Sequence, residues 1–284
     1  MPAAGHQSGT FKSADGIDLF WQVWRPDGLP RATVVLAHGA SEHSTRYEHV
    51  ARGFNERGYS FWALDHRGHG QSGGRRVYFD SFDDVLGDLG YLLSMAAEEL
   101  PDQKPFLLGH SMGGAVATAY AIRHDSELAG LILSNPVASI KTAPVEAMMG
   151  RILSRVAPKL GVYSVPAEGV SKDPEEVRKY VEDPLNYHDK LPARTVAVLA
   201  QEVDTFDDAA AQITVPVLIM YSSTDPIVAP EGSTMLAEKV GSADVTVRDW
   251  DGLKHEIMNE PERDQVIGEM LDWLDAHVDA GGPR

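Results

Sequence analysis

The sequence has no cysteine, so it offers no disulfide framework, no thiolate nucleophile and no cysteine-based zinc site, and it leaves the redox compartment open. Basic residues are scarce: 25 Lys and Arg stand against 42 Asp and Glu, a formal net charge of −17. That balance argues against a nucleic-acid partner and against simple electrostatic attraction to anionic lipid, since both need clustered cations. Neutral substrates are unaffected by it. No apolar run approaches the roughly 20 residues that span a bilayer, and Met1 to Thr10 lacks a charged start followed by an apolar stretch. A cytoplasmic protein without signal peptide or transmembrane segment is expected, with peripheral membrane contact left open. Internal repeats and low-complexity segments are also missing, and 284 residues suit one large α/β domain with an insertion.

What is present is a series of short apolar runs separated by helical stretches. Ile17 to Trp24 alternates apolar and polar residues like a half-buried strand and reads as an antiparallel edge. Thr33 to Ala37, Tyr59 to Leu64, Phe106 to Leu108, Leu131 to Leu133 and Val217 to Tyr221 are continuous apolar runs, as strands buried on both faces require. Tyr47 to Arg57, Phe82 to Leu100 and Gly113 to Arg123 supply crossover helices, Val245 to Val247 a last strand and Glu262 to His277 a closing helix. The pattern predicts a mostly parallel, doubly wound α/β sheet. From 136 to 212 the alternation fails, and helical segments punctuated by prolines read as an inserted helical cap, leaving 1–135 and 213–284 as the core. Within the cap, Val145, Met148, Met149, Ile152, Val156 and Leu160 share one helical face. Two readings of that face stay open: packing against the sheet, or a lid that lines a lipid pocket.

The chemistry is concentrated in Gly109-His110-Ser111-Met112-Gly113-Gly114, between an apolar strand and a small-residue helix. This is the pattern of a nucleophile elbow, in which a strained strand-to-helix turn lifts the serine hydroxyl out of the sheet and needs glycine beside it. The helix that follows aims free N–H groups at the place where an oxyanion would form during acyl transfer. A serine needs a histidine base and an acid to orient it, and with an elbow of this kind the acid follows the serine and the histidine comes last. Asp225, in the loop after Val217 to Tyr221, and His255, between the last strand and the closing helix, fill these places. Asp249 and Asp251 are the serious rivals of Asp225. The backbone N–H groups of Ala40, in the loop after Thr33 to Ala37, and of Met112 are the candidate oxyanion donors. His66 and His69 lack a third and fourth ligand pattern, so no metal site is read there, and the chemistry requires neither metal nor organic cofactor.

The chain resembles the monoacylglycerol lipases of the α/β-hydrolase superfamily, especially the bacterial members, over most of its length. The similarity runs through His38-Gly39-Ala40-Ser41-Glu42-His43 with Arg46-Tyr47, then Leu64-Asp65-His66-Arg67-Gly68-His69-Gly70-Gln71-Ser72, the elbow, Asp183-Pro184-Leu185, and His255 with Asn259-Glu260-Pro261-Glu262-Arg263. The resemblance implies an α/β-hydrolase fold, a lipid ester as the small-molecule substrate, and the same triad and oxyanion residues. It also implies a polar head-group pocket built from Glu42, Arg46, His110 and Tyr180. For Glu42 and Arg46 an ion pair bracing the loop is the alternative to substrate contact, and for His110 simple packing. Two departures stand out: Ser41 occupies a place where the family usually has glycine, and Ser222-Ser223-Thr224-Asp225-Pro226 lacks the usual glycine before the acid and arginine after it. The cap is the least similar part. A lysophospholipase or broad carboxylesterase with the same triad is the nearest alternative function, and a non-catalytic lipid-binding protein the remote one.

Overall fold

A computed structural model describes residues 5–140 and 144–280, so residues 1–4 and the 141–143 stretch of the expected cap lie outside the described residues. The strands are β1 (His6–Lys12), β2 (Asp18–Trp24), β3 (Thr33–Ala37), β4 (Ser60–Leu64), β5 (Phe106–His110), β6 (Gly130–Ser134), β7 (Gly161–Tyr163), β8 (Leu191–Pro192), β9 (Val217–Tyr221) and β10 (Val245–Asp249). The helices are α1 (Glu48–Glu56), α2 (Phe82–Glu99), α3 (Met112–His124), α4 (Pro144–Val156), α5 (Pro174–Glu182), α6 (Ala193–Val203), α7 (Phe206–Ala209), α8 (Glu231–Lys239) and α9 (Arg263–Ala280). Eight strands form one sheet in the order β1-β2-β4-β3-β5-β6-β9-β10. From β4 to β10 all neighbours run parallel, while β2 is antiparallel to both β1 and β4.

Alternating side chains of the central strands feed two separate apolar layers, which is why their sequences are apolar at every position. Val35, Ala37 and Leu107 join α2 and α3 on one face. Val34, Leu36, Phe106 and Leu108 join α1 and α9 on the other. The edge of the sheet is one strand further out than the alternation of Ile17 to Trp24 suggests. β1, mostly polar and exposed, pairs with β2 from His6↔Trp24 to Lys12↔Asp18, and its polar outer side is what an unpaired edge tolerates.

Between β6 and β9 the chain leaves the sheet. It contains α4, α5, α6 and α7 together with a short antiparallel ribbon, β7 with β8, which the proline-punctuated sequence does not signal. Val198, Leu199, Val203 and Phe206 of α6 and α7 are buried in the same cluster as α2 and α3. α4 is different. Val145, Met148, Met149, Ile152, Val156 and Leu160 are between 52% and 74% exposed, so the reading of that face as core packing is overturned. None of the described helices is long and apolar enough to cross a membrane.

Candidate active site

Ser111 stands between β5 and α3 with φ 55° and ψ −121°, a left-handed conformation that costs a non-glycine residue about 1–3 kcal/mol. The surroundings enforce it. A Cβ on Gly113 would lie 2.0 Å from the Ala37 carbonyl oxygen, and one on Gly114 2.6 Å from Pro136, so α3 can approach the sheet this closely only with glycine at both places. Met112 opens α3, and its amide has no acceptor within the helix.

The loops after β9 and β10 bring the other two residues to the serine. His255 Nε2 is 2.8 Å from Ser111 Oγ, and His255 Nδ1 is 2.7 Å from Asp225 Oδ2. Asp225 Oδ1 accepts the backbone N–H of Ile227 and of Val228 at 2.8 and 3.2 Å, which fixes the carboxylate plane. The rival acids have other work: Asp249 accepts the Ser223 N–H at 2.9 Å and Asp251 the Ser223 hydroxyl at 3.3 Å, so both brace the loop that carries Asp225. That loop holds no residue with positive φ between Ser222 and Asp225, which removes the need for glycine there. The hydroxyls in its place tie it to the histidine loop: Ser222 Oγ donates to the Leu253 carbonyl at 2.6 Å and Thr224 Oγ1 accepts the Gly252 N–H at 2.9 Å. Asn135, after β6, completes the tie by accepting from Ser222 N and donating to the His255 carbonyl at 2.6 Å. Nothing in the sequence marks Asn135, because its role depends on two loops that meet only in the fold.

On the opposite side of Ser111 the loop after β3 carries Ala40 and Glu42. Among the described residues nothing accepts a hydrogen bond from the Ala40 amide. Glu42 is buried and accepts from the Gly39 N–H at 2.6 Å, the Tyr47 hydroxyl at 2.7 Å and Arg46 Nη1 at 2.8 Å. Arg46 in turn grips Glu256 with both terminal guanidinium nitrogens, Nη1 and Nη2, at 2.7 Å, and Asn259 donates to the same carboxylate. The ion pair bracing the loop is therefore present, and it has a third member. Glu256, next to His255 in the chain, was missed by sequence reasoning; its neighbourhood to the histidine was the available signal. Burial raises the Glu42 carboxyl, against the pull of Arg46. Burial works the same way on Glu256, but there the two-pronged contact with Arg46 wins and holds it well below the usual carboxylate range.

His110 and Tyr180 face the same small space. The Ser134 carbonyl can only accept, so His110 Nδ1 carries the proton across their 3.0 Å contact and Nε2 is left as an acceptor. Burial first, then the neighbouring His255, pushes His110 down to about 3, so it is uncharged near neutrality. Tyr180, on α5, is buried with its hydroxyl unpartnered and its ring 4.9 Å from the Arg46 guanidinium. The cavity they share with Ser111 is only about 20 Å³, room for about one water molecule. Its other wall is apolar: Val165, Val170 and Ile227. A cavity of this size has no room for an acyl chain.

His38, His66 and His69 pack ring against ring with centroids 4.5 to 6.3 Å apart, fully buried. His38 Nδ1 meets the Gly39 carbonyl, His38 Nε2 accepts the His66 backbone N–H and His69 Nδ1 meets the Arg67 carbonyl, while both ring nitrogens of His66 and Nε2 of His69 are buried without a hydrogen-bond partner. Among the described residues no group of three His, Cys, Asp or Glu is arranged to hold a metal ion.

Residues 28–262 match the Hydrolase_4 family model, described as serine aminopeptidase, S33. The sequence is 36% identical over 280 residues to the monoacylglycerol lipase of Mycolicibacterium smegmatis, covering 98% of this chain and 100% of that one. The chain belongs to the monoacylglycerol lipase family of α/β-hydrolases. It is also 32% identical to the Homo sapiens monoglyceride lipase, over 95% of this chain and 91% of the relative. The crystal structure of the Paleococcus ferrophilus monoacylglycerol lipase superposes with a TM-score of 0.80 at 28% identity, covering 96% and 99% of the two chains.

Proposed function

We propose that this chain cleaves monoacylglycerols to glycerol and free fatty acid through an acyl-enzyme, with Ser111 as nucleophile, His255 as base and Asp225 as its orienting acid. The observation that carries this reading is the continuous hydrogen-bonded series from Ser111 Oγ through His255 to Asp225, at 2.8 and 2.7 Å. A serine hydroxyl is a weak nucleophile near neutrality, and a histidine held in one tautomer by a buried carboxylate is what activates it. His255 takes the serine proton as Oγ attacks the ester carbonyl, and the developing oxyanion accepts from the Ala40 and Met112 N–H groups. The same histidine then protonates the departing glycerol and later activates the water that releases the fatty acid.

The wall beside the serine supports a small neutral polyol as the leaving group. His110 Nε2 offers an acceptor and the unpartnered Tyr180 hydroxyl a donor, while Glu42, Arg46 and Glu256 form a braced wall behind them. Two carboxylates on one guanidinium leave that wall without spare positive charge, which disfavours a phosphate head group. The acyl chain would extend past Ile227 once the part of the lid that carries Val165 and Val170 moves off the closed site. The exposed face of α4 would be the part of the lid that touches a lipid surface, driven by burial of apolar area and despite the acidic balance of the chain.

The test is hydrolysis of 1-monooleoylglycerol, dioleoylglycerol and lysophosphatidylcholine side by side by the wild type and by Ser111→Ala. A preference for the monoacylglycerol, reduced by about 10⁵-fold or more in the variant, is expected. Equal or better cleavage of lysophosphatidylcholine would keep the serine mechanism and replace the glycerol reading with that of a broader esterase. Unchanged turnover in Ser111→Ala would overturn both.

A further inference from the structure

The loop that carries Ala40 is held from two directions. On the side of the sheet, Glu42 accepts the Gly39 N–H at 2.6 Å, and Ser44 donates through its N–H and its hydroxyl to buried Asp65 at 2.8 and 2.6 Å. On the side of the lid, the turn after α5 reaches back to the same loop. Asp183 Oδ2 lies 2.9 Å from Nε2 of buried His43, and the Tyr187 N–H donates to the Ser41 carbonyl at 2.9 Å. The turn is itself shaped by Asp183, whose Oδ1 accepts the Leu185 N–H at 2.8 Å, and it is anchored by Arg76, which donates to the Leu185 carbonyl at 2.7 Å.

Between these holds sits Ser41 with φ 67°. A serine in that left-handed conformation persists only when its surroundings over-determine it, at a cost of about 1–3 kcal/mol. Glycine would adopt it freely. The Ala40 amide lies between the Gly39 N–H, fixed by Glu42, and the Ser41 carbonyl, fixed by Tyr187. Releasing the lid side frees Ser41 to relax toward negative φ, and the Ala40 N–H swings with it.

We propose that the lid turn from Asp183 to Tyr187 works as a strap on the oxyanion loop, with Asp183 a positioning residue that acts through His43 and Ser41 on the Ala40 N–H. Because this chain has serine and not glycine at 41, its oxyanion donor is in place only while the lid turn is seated. Turnover is thereby coupled to the seating of this turn: with the turn displaced, substrate still binds but the tetrahedral intermediate loses a donor. The inference rests on the assignment of Ala40 as an oxyanion donor made above.

The experiment uses the full chain and a short soluble p-nitrophenyl ester, which removes lid-to-lipid contact from the measurement. Asp183→Ala is expected to lower kcat by about 10-fold to 100-fold, the scale of a displaced catalytic group, with KM within about twofold. The inhibition constant of a trifluoromethyl ketone, which forms the tetrahedral adduct, should rise by a similar factor. The affinity of a non-hydrolysable ether analogue should stay unchanged. Asp183→Asn keeps an acceptor for His43 and should recover most of the loss. The deciding variant is Asp183→Ala combined with Ser41→Gly, where glycine holds the loop conformation without the strap and kcat should return to within about threefold of the wild type. If Asp183→Ala alone does not fold, His43→Phe cuts the same link from the other side and is read by the same assays. Unchanged kcat and ketone affinity in the single variant would overturn the proposal, and so would a loss that Ser41→Gly leaves in place. Failure of the serine reading itself is seen separately, as ester hydrolysis that survives Ser111→Ala.

Discussion

Helices α3 and α4 are both 13 residues long and both rich in apolar side chains, yet they meet opposite fates. Every residue of α3 from Met112 to Ala121 is buried, because glycines and alanines let it lie against the sheet on one side and other helices on the rest. α4 packs on α6 and turns Val145, Met148, Met149, Ile152 and Val156 outward. Apolar content alone therefore does not decide burial; what stands opposite the side chain does. Burying a side chain of this size stabilises by roughly 1.5–3 kcal/mol, so five left exposed represent stability not taken up in folding. α3 spends its apolar surface on building the elbow, whereas α4 leaves one face of its own exposed.

Acid should break this contrast most strongly, from the buried side. His38, His66, His69 and His110 are enclosed near the elbow, and burial, the largest cause for each, holds them below the usual 6.5, with His66 and His110 at about 3 and His69 at about 4. Their folded values lie below the unfolded one, so the unfolded chain takes up protons first. The stability they contribute is complete above pH ~6.5 and is lost as pH falls from there toward the folded values, at about 2 kcal/mol each for His66, His69 and His110 between pH 7 and pH 5. These three losses, with a further one of the same sign from His38, compare with a typical total of about 5–15 kcal/mol. Urea midpoints at pH 7.5 and pH 5 would measure it, and equal midpoints would mean that these rings reach water or new partners.

A second, smaller effect belongs to α3 alone. Gly113→Ala places a methyl 2.0 Å from the Ala37 carbonyl oxygen, and backbone must move to admit it. A loss of about 3 kcal/mol or more is expected, together with loss of reaction with a fluorophosphonate probe, because the same shift moves Met112 and Ser111. The variant that retains wild-type stability would show the helix to be less tightly seated than its contacts imply. The smallest effect on folding belongs to α4. Met148→Ser with Met149→Ser should leave the melting temperature within about 1 °C while lowering hydrolysis of monooleoylglycerol in neutral vesicles by about tenfold. Cleavage of a short soluble ester should not change. An equal loss on both substrates would assign the two methionines to the active site and not to the lipid surface.

Much of the molecule was legible because the signals were local. Thr33 to Ala37 and Val217 to Tyr221 coincide with β3 and β9, since a strand covered on both faces must be apolar at every residue. The elbow was legible because its strain demands glycine at fixed neighbours, and the order of serine, acid and histidine along the chain led to three side chains that the fold brings within hydrogen-bond reach. β1 was not legible, because a polar edge strand has neither apolar run nor alternation to mark it.

Only the tertiary structure decided the remainder, and for one physical reason: each of these properties depends on a partner distant in the chain. The outward aim of α4 depends on α6 covering only its other side. The third member of the Glu42 and Arg46 network, Glu256, comes from 210 residues beyond Arg46. The hold on Ser41 comes from Tyr187, and that on His43 from Asp183. The sequence by itself determined the candidate serine, carboxylate and histidine and the elements they stand on, since helix and strand periods and turn sterics are written in neighbouring residues. Which carboxylate faces which cation, and which apolar face is left to the solvent, is settled by packing between distant segments, where no local pattern records the outcome.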